Sequence, residues 1–268
     1  MPDPGSPDLG SPVPGSVDAI DAFLDTITLH VDADVRVIDK PSGLAVAAGT
    51  RTTDHLDGML MARADAGHER LRLVHRLDRD TSGCLVLAAT RDAARLLGRE
   101  MMARRVVKVY WALVHGVPVF HSGHTGTIDV PLIKARGSSG DRVRAALPGE
   151  IADAWPAVTH YEVLDAATDR SSALVQLTPL TGRQHQLRAH LAHIGHRIVG
   201  CDKYPFRSEI CDFRAPDQPC RLHLLARRLT FRHPRGHILT IAASVPPHMR
   251  ASFERLGIAL PPELRLES

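Results

Sequence analysis

The sequence is poor in lysine and cysteine, and it has no apolar run long enough to cross a membrane. Its N-terminus lacks the basic head and apolar stretch of a secretory signal, so we expect a cytoplasmic protein with reduced thiols. A zinc site formed by Cys201, Cys211, Cys220 and His223 is a weaker alternative, because that spacing matches no common ligand pattern. We therefore predict no metal and no cofactor.

Charge is unevenly distributed along the chain. Residues 1–29 contain five aspartates and no lysine, arginine or glutamate, so the remainder holds 33 basic and 25 acidic side chains, a net charge of +8. A basic globular chain favours a polyanionic partner. Residues 1–17, rich in Pro, Gly and Ser, are predicted to form a disordered tail, and residues 18–268 a single domain.

A charge-dense segment lies between two apolar runs within residues 73–88. The runs are typical of buried strands, so the polar residues are predicted to form a tight turn at the end of a sheet. A carboxylate beside a core needs a cation or several donors, and Arg76 and Arg79 are the local candidates to pair with Asp78. The alternative is a surface hairpin with a solvated ion pair.

A second polar segment, residues 181–188, reads TGRQHQLR. Thr181 and Gly182 are predicted to start a helix whose free N–H groups, with Arg183 and Arg188, suit a phosphate. A solvated helix face is the alternative. Three histidines that follow are expected to be solvated or to face RNA: His190, His193 and His196.

Periodicity predicts further strands at 35–38, 44–47, 106–115, 158–166, 173–179 and 238–244, and helices at 17–29, 54–66, 91–104 and 249–256. Asp54 and Thr90 are the expected helix caps, and His55 and His68 are expected to be solvated. The strands come in hairpin-like pairs without regular βαβ alternation. The predicted fold class is therefore α+β, with a mixed, largely antiparallel sheet flanked by helices.

Residues 117–152 are predicted to be loop-rich, with positive charges at Lys134, Arg136, Arg142 and Arg144. This segment is a candidate RNA-contacting flap. An exposed hairpin without a partner is an equal alternative.

Residues 75–83, HRLDRDTSG, resemble the catalytic signature of the RluA-type pseudouridine synthases. Residues 181–188 resemble the third motif of that family, and Lys40-Pro41-Ser42-Gly43 resembles its first. The resemblance spans roughly residues 35–257, and it implies a catalytic domain over residues 18–268. It implies an isomerase that converts uridine to pseudouridine in large-subunit ribosomal RNA or transfer RNA. RNA is the expected partner, with no DNA or membrane partner, and the protein is expected to be a monomer.

The same resemblance implies roles for individual residues. Asp78 is the catalytic residue, as nucleophile or as base. Arg76 helps to fill the space left by the extruded uridine, Tyr110 lies against the target base, and Arg183 pairs with Asp78 or with a phosphate. Lys40 and Pro41 are expected to be structural.

Two positions depart from the family pattern: Cys201 stands where Asp is usual, and Leu225 where His is frequent. Two rival functions are considered. An aspartyl-phosphate phosphatase is disfavoured, because its signature requires Thr or Val where this chain has Ser82. A non-catalytic RNA-binding protein on the same fold is the second rival, because fold alone does not determine function.

Overall fold

The computed structural model describes residues 16–48, 55–118, 124–135, 142–204 and 221–262. Four groups of residues named above lie outside the described part of the chain: residues 1–15 of the predicted tail, the predicted cap Asp54, Arg136 of the predicted flap, and Cys211 and Cys220 of the zinc alternative. Within those five ranges, no helix is both long enough and apolar enough to span a bilayer.

The chain divides into two compact units according to its internal contacts. Unit 1 comprises residues 1–106 and 226–247, and unit 2 comprises residues 107–225 and 248–268. The single domain predicted for residues 18–268 stays a prediction, since compactness alone does not show whether two units fold or act as one domain.

Unit 1 is built from a sheet and three helices. Its helices are α1 Val17–Thr26, α2 Leu56–Asp65 and α3 Arg91–Met102. Its strands are β1 Thr28–Val31, β2 Val35–Lys40, β3 Arg72–Leu73, β4 Ser82–Ala88, β11 Leu224–Arg232 and β12 Ile238–Ala242. The first two residues of β11 belong to unit 2. The strand order is β1-β2-β4-β11, with β3 beside β4 and β12 beside β11. The pairs β1–β2, β2–β4, β3–β4 and β11–β12 are antiparallel.

Strand β4 is buried at every residue, as predicted for the apolar run after the charged segment. It packs in a core that includes Val35, Val37 and Ile38 of β2. The strand predicted at residues 44–47 is wrong. The carbonyls of Ala45 and Val46 accept hydrogen bonds from the first N–H groups of α2, at 2.9 and 3.0 Å, so this segment supports a helix start instead of extending the sheet.

Side chains cap the helices of unit 1. Thr90 Oγ1 accepts from Ala93 N at 3.0 Å, which confirms the predicted cap of α3. Helix α2 begins at Leu56, and its cap is His55, whose Nδ1 accepts from Gly58 N at 2.9 Å. The cap of α2 is therefore His55 and not the predicted Asp54, and the partly exposed His55 supplies the acceptor through an imidazole nitrogen.

Unit 2 contains a second group of antiparallel strands. Its elements are β5 Val107–His115, β6 Thr125–Asp129, β7 Leu132–Lys134, β8 Val143–Ala145, a 3-10 helix Pro148–Asp153, β9 Val158–Ala166, β10 Ser172–Pro179, α4 Gln186–His193 and α5 Pro247–Leu256, whose first residue belongs to unit 1. The order β5-β10-β9-β6 is antiparallel throughout, and β7 and β8 form a separate hairpin.

Buried aliphatic side chains of β5 and β10, among them Ala112, Val114, Val175 and Leu177, pack with Leu191 of α4 in the core of unit 2. The antiparallel sheets and their helices confirm the predicted α+β class. The segment 117–152 is less loop-rich than predicted, because its described residues include three strands and a 3-10 helix.

Candidate active site

The charged segment forms the turn between β3 and β4, as its sequence pattern predicts. Thr81 N donates to Asp78 O at 3.2 Å and closes the turn, while Val86 N of β4 donates to His75 Nε2 at 3.0 Å and fixes its start. Leu77 is buried between two residues that are more accessible, so it anchors the turn in the core. The exposed Arg76 and the half-buried Asp78 flank this anchor.

Arg79 forms its ion pair with Asp80, not with Asp78. Its Nε lies 3.1 Å from Asp80 Oδ1, and the guanidinium is well exposed. Of the two arginines suggested as local partners of Asp78, Arg79 is therefore engaged elsewhere. Arg79 thus balances the charge of Asp80 within the turn. An ion pair this accessible contributes little to stability.

The buried side chain of Lys40 holds the turn by hydrogen bonds. Its ammonium is fully buried and donates to three carbonyl oxygens, those of Pro41, Leu44 and Arg79, at 2.8, 2.9 and 2.8 Å. Ser42 Oγ adds a bond to the carbonyl of Asp80 at 2.9 Å. These bonds agree with the expected structural role of Lys40. Its cation joins the turn after β2 to the Asp78 turn.

Burial dominates the titration of the groups at this end of β2. Burial lowers the pKa of Lys40 to about 7, against the opposing effect of Asp80, Asp78 and Asp39. Burial raises the pKa of Asp39 to about 6, although Lys40 and Arg227 oppose the shift. The neighbouring Cys84 thiol has its pKa raised to about 12 by burial, so it stays protonated at neutral pH.

Tyr110 lies on β5, opposite Leu177 of β10, and packs half-buried against the core of unit 2. Lys108 lies two residues earlier, so its side chain projects from the same face of the strand. Burial lowers the pKa of Lys108. Tyr110 is therefore held in position by a strand that pairs with β10 from Tyr110 to His115.

The motif at residues 181–188 is a buried polar network around Gln186. The amide oxygen of Gln186 accepts from Thr181 Oγ1 at 2.7 Å and from Arg183 N at 3.0 Å, while its nitrogen donates to Val158 O and Thr159 Oγ1 at 3.0 Å. Thr181 Oγ1 accepts in turn from Val158 N at 2.9 Å. The network connects the motif to the start of β9.

This network corrects the predicted helix start. Helix α4 begins at Gln186, not at Thr181, after His185, which has a left-handed φ of 48°. The residues from Thr181 to His185 form an irregular approach to the helix because their polar groups bond to one another and to β9. Both readings of the motif, a phosphate-binding helix start at Thr181 and a solvated face, are therefore wrong for the buried Gln186 and Arg188.

His190 was expected to be solvated or to face RNA, and that is wrong. It is fully buried, with Nδ1 2.9 Å from Thr159 Oγ1 and Nε2 3.0 Å from Val130 O. Burial lowers its pKa, so the neutral ring is favoured. The sequence signal that could have revealed this is its position four residues after Gln186, on the same face of α4.

The departure at Cys201 has a structural counterpart. Arg188 is buried, and it donates through Nε to Cys201 Sγ at 3.2 Å and through Nη2 to Asp202 Oδ1 at 3.0 Å. Asp202, directly after Cys201, thus supplies the carboxylate that pairs with Arg188. The second departure, Leu225, is a fully buried core residue.

Asp32, Asp34 and His233 in unit 1 are close enough to hold a cation. Their ligand atoms already have partners, however: Asp32 Oδ2 lies 2.9 Å from His30 Nε2, and Asp34 Oδ2 accepts from Arg235 Nε at 2.8 Å. Arg235 N also donates to His233 Nδ1, which leaves the other ring nitrogen protonated and unsuited to a metal. We assign no metal to this cluster.

The proposed site residues fall on both units. Unit 1 carries Arg76 and Asp78 on one turn, and unit 2 carries Tyr110 and Arg183. Arg183 is positioned by its own Nε, which donates to Pro156 O at 3.1 Å. Their catalytic and binding roles stay predictions.

A family model described as RNA pseudouridylate synthase matches residues 34–193 of this chain. An uncharacterized RNA pseudouridine synthase of Chloroflexus aurantiacus is 40% identical over 225 residues, which span 81% of this chain but only 65% of that protein. Ribosomal large subunit pseudouridine synthase C of Salmonella typhi is 34% identical over 241 residues, or 88% of this chain and 71% of that protein. Dual-specificity RNA pseudouridine synthase RluA of Escherichia coli is 37% identical over 218 residues, which span 81% of this chain and 92% of that protein.

Among solved structures, human RNA pseudouridylate synthase domain containing 4 is similar, with a TM-score of 0.73 and 30% identity, over 92% of this chain and 98% of that chain. The chain therefore belongs to the RNA pseudouridylate synthase family, whose members are RNA-modifying isomerases. Its relatives within that family confirm the RluA-type resemblance found in the motifs and the prediction of a pseudouridine synthase.

Proposed function

We propose that this protein isomerises a uridine of large-subunit ribosomal RNA to pseudouridine, with Asp78 as the catalytic residue. Family membership supports the reaction, and the name of the Salmonella relative supports the substrate. The observation that carries the role of Asp78 is its turn, which is closed by Thr81, anchored by Leu77 and bonded to Lys40. Such fastening holds a reactive carboxylate in one geometry.

The reaction breaks the bond between uracil N1 and the sugar C1′, turns the base, and joins C5 of uracil to C1′. The proton on C5 is lost and N1 gains one, so the reaction needs no oxidant and no second substrate. A single carboxylate can serve it, either by forming a covalent intermediate or by removing a proton. We assign that carboxylate to Asp78.

Three further residues complete the proposed site. A uridine in folded RNA has to leave its stack before it can react. In our proposal Arg76, which is exposed beside Asp78, occupies the vacated space, Tyr110 lies against the extruded base, and Arg183 contacts Asp78 or a phosphate. The protein acts as a cytoplasmic monomer in this proposal.

Pseudouridine mapping tests the proposal. Total RNA from cells that lack the gene is compared with RNA from cells rescued by the wild type or by Asp78→Asn, which keeps the size of the side chain. We expect a site in large-subunit ribosomal RNA to vanish in the deletion and to return only with the wild type. Restoration by Asp78→Asn would overturn the role of Asp78.

The same map separates the alternatives. A site that vanishes from transfer RNA instead would assign the substrate to that class. Persistence of every site, together with failure of the purified protein to isomerise uridine in RNA from the deletion strain, would favour a non-catalytic RNA-binding protein.

A further inference from the structure

The chain has two tryptophans, and they differ in environment. Trp111 is buried in β5, whereas Trp155 is 39% exposed in unit 2. Two other large apolar side chains in the same stretch, Leu147 and Ile151, are exposed by more than half. Exposed aromatic surface of this kind commonly marks a place where a partner is contacted.

The backbone of Trp155 is held from both sides. Trp155 N donates to Leu132 O at 2.8 Å and Leu132 N donates to Trp155 O at 2.9 Å, which forms a two-way bridge to β7. Pro156 follows, with its own fixed φ. The exposed indole therefore projects from a rigid point, and a bound group would not have to order the loop first.

This rigid point is joined directly to the motif at residues 181–188. The carbonyl of Pro156, the next residue, accepts the hydrogen bond from Arg183 Nε at 3.1 Å. Two residues further on, Val158 is bonded to Thr181 and Gln186. Trp155 thus directly precedes Pro156, whose carbonyl positions the guanidinium of Arg183.

The strands bridged to this position carry more basic than acidic side chains. The β7–β8 hairpin carries the exposed Lys134 and the half-buried Arg142. Arg144 on β8 is neutralised by Glu150, through two contacts of 2.6 Å. The exposed acids nearby are Asp153 and Asp129, which pairs across the sheet with Val158. With Arg183 included, cations outnumber acids, as a nucleic acid partner requires.

We infer that Trp155 is an RNA-stacking residue: its indole stacks on an unpaired base of the substrate RNA, while Arg183 and the β7–β8 hairpin hold the adjacent phosphates. Exposed aromatic rings beside arginines are how proteins commonly bind single-stranded RNA. The inference rests on the proposed function, because it assumes that RNA is the partner. It adds a contact that the sequence motifs do not contain.

Intrinsic fluorescence gives a direct test on the unmutated chain, because Trp111 is buried. The probes are a 12-nucleotide oligouridine and an abasic oligomer of the same length and charge. We expect the oligouridine to quench the exposed tryptophan and to protect it from acrylamide, and the abasic oligomer to do neither. Equal effects of the two oligomers, or no effect of either, would overturn the stacking role.

Variants extend the test to large-subunit ribosomal RNA transcribed in vitro. Trp155→Ala should weaken binding between about 5-fold and about 150-fold, the range for loss of one stacked base, and Trp155→Phe should recover most of it. The matched control is Met102→Ala, which removes another exposed apolar side chain and should leave binding unchanged. Thermal unfolding of each variant checks its fold.

The outcomes also distinguish this inference from the proposed function. Binding that depends on Trp155 in a protein that forms no pseudouridine would support the stacking role and reject the reaction. Tryptophan emission that changes with protein concentration in the absence of RNA, together with wild-type RNA binding by Trp155→Ala, would show instead that the indole is a protein contact and would overturn the inference.

Discussion

Lys40 shows how one buried cation can hold the turn that carries Asp78. It is fully buried, and its three hydrogen bonds all go to backbone carbonyls, including that of Arg79, the residue after Asp78. A buried ammonium is costly unless its donors are all used. At the residue scale, Lys40 is therefore a positioning group for Asp78, and its loss should affect both stability and catalysis.

We predict that Lys40→Met lowers the free energy of unfolding by about 2 kcal/mol, because buried carbonyls lose their donor. Since the turn also loses its anchor, kcat for pseudouridine formation should fall roughly 10- to 100-fold. Urea unfolding and single-turnover kinetics measure the two effects. Lys134→Met, at an exposed lysine, is the control and should change the free energy of unfolding by less than about 0.5 kcal/mol.

The pH dependence of stability should differ between the wild type and Lys40→Met. Lys40 has a pKa of about 7 when folded and its ordinary value of 10.5 when unfolded, so between these values the unfolded chain binds a proton that the folded chain has released. Stability then rises with pH. Between pH 7 and pH 9 the wild type should gain about 2 kcal/mol relative to Lys40→Met, as measured by urea unfolding at each pH. Above pH 7 the folded amine then keeps only two of its three donors, whereas a constant difference would show that Lys40 remains an ammonium in the folded protein.

At the scale of elements, the start of α4 is set by hydrogen bonds to a distant strand. Thr181 and Gly182 carry the local signals of a helix start, yet α4 begins at Gln186, because the side chains of Thr181 and Gln186 bond to each other and to β9. Tertiary partners override local propensity here. This arrangement makes the network, not the helix terminus, responsible for the position of Arg183.

We predict that Thr181→Val, which preserves shape but removes the hydroxyl, destabilises the protein by about 1–3 kcal/mol, because Val158 N and Gln186 lose a partner in a buried site. The KM for RNA should rise more than kcat falls, since Arg183 is displaced. Thermal unfolding and steady-state kinetics measure these effects. Thr178→Val on β10 is the matched control, because in the described part of the chain its hydroxyl has no hydrogen bond, and it should resemble the wild type.

At the scale of the whole molecule, charge should control the encounter with RNA. Residues 30–268 carry a net charge of +8. If Lys134, Arg142 and Arg183 each contact a phosphate, the logarithm of the association constant should fall with the logarithm of salt concentration with a slope of about −2. Filter binding in 50–300 mM potassium chloride measures the slope. Lys134→Ala should reduce its magnitude by about 0.7, and an unchanged slope would remove Lys134 from the interface.

The fold class was predictable because several strands show either a buried apolar run or an alternating pattern. The buried β4 and the paired β9 and β10 follow their sequence patterns. The failures have two causes: a partner far away in sequence, or a strand that is too short. Ala45 and Val46 serve the start of α2, His190 is buried against Val130, and the short strands β7 and β8 are too brief to show a period.

For the site, resemblance of the motifs predicted Asp78 and Arg183 as site residues, but not the contacts that hold them in place. The support from Lys40 is 39 residues away from the Arg79 carbonyl, and the support from Pro156 is 27 residues away from Arg183. Neither separation leaves a periodic signal. Trp155 was missed for a related reason, because an aromatic side chain in a short segment is by default a core residue, and only the structure shows its exposure.

Burial of Lys40 also makes its amine a chemical reporter. The chain has four lysines, so amine-reactive labels produce few products to resolve by mass spectrometry. Because the Lys40 ammonium is enclosed and bonded to three carbonyls, acylation there requires the turn beside Asp78 to open first. The labelling rate of this one side chain therefore measures how often the Asp78 turn opens in the resting protein.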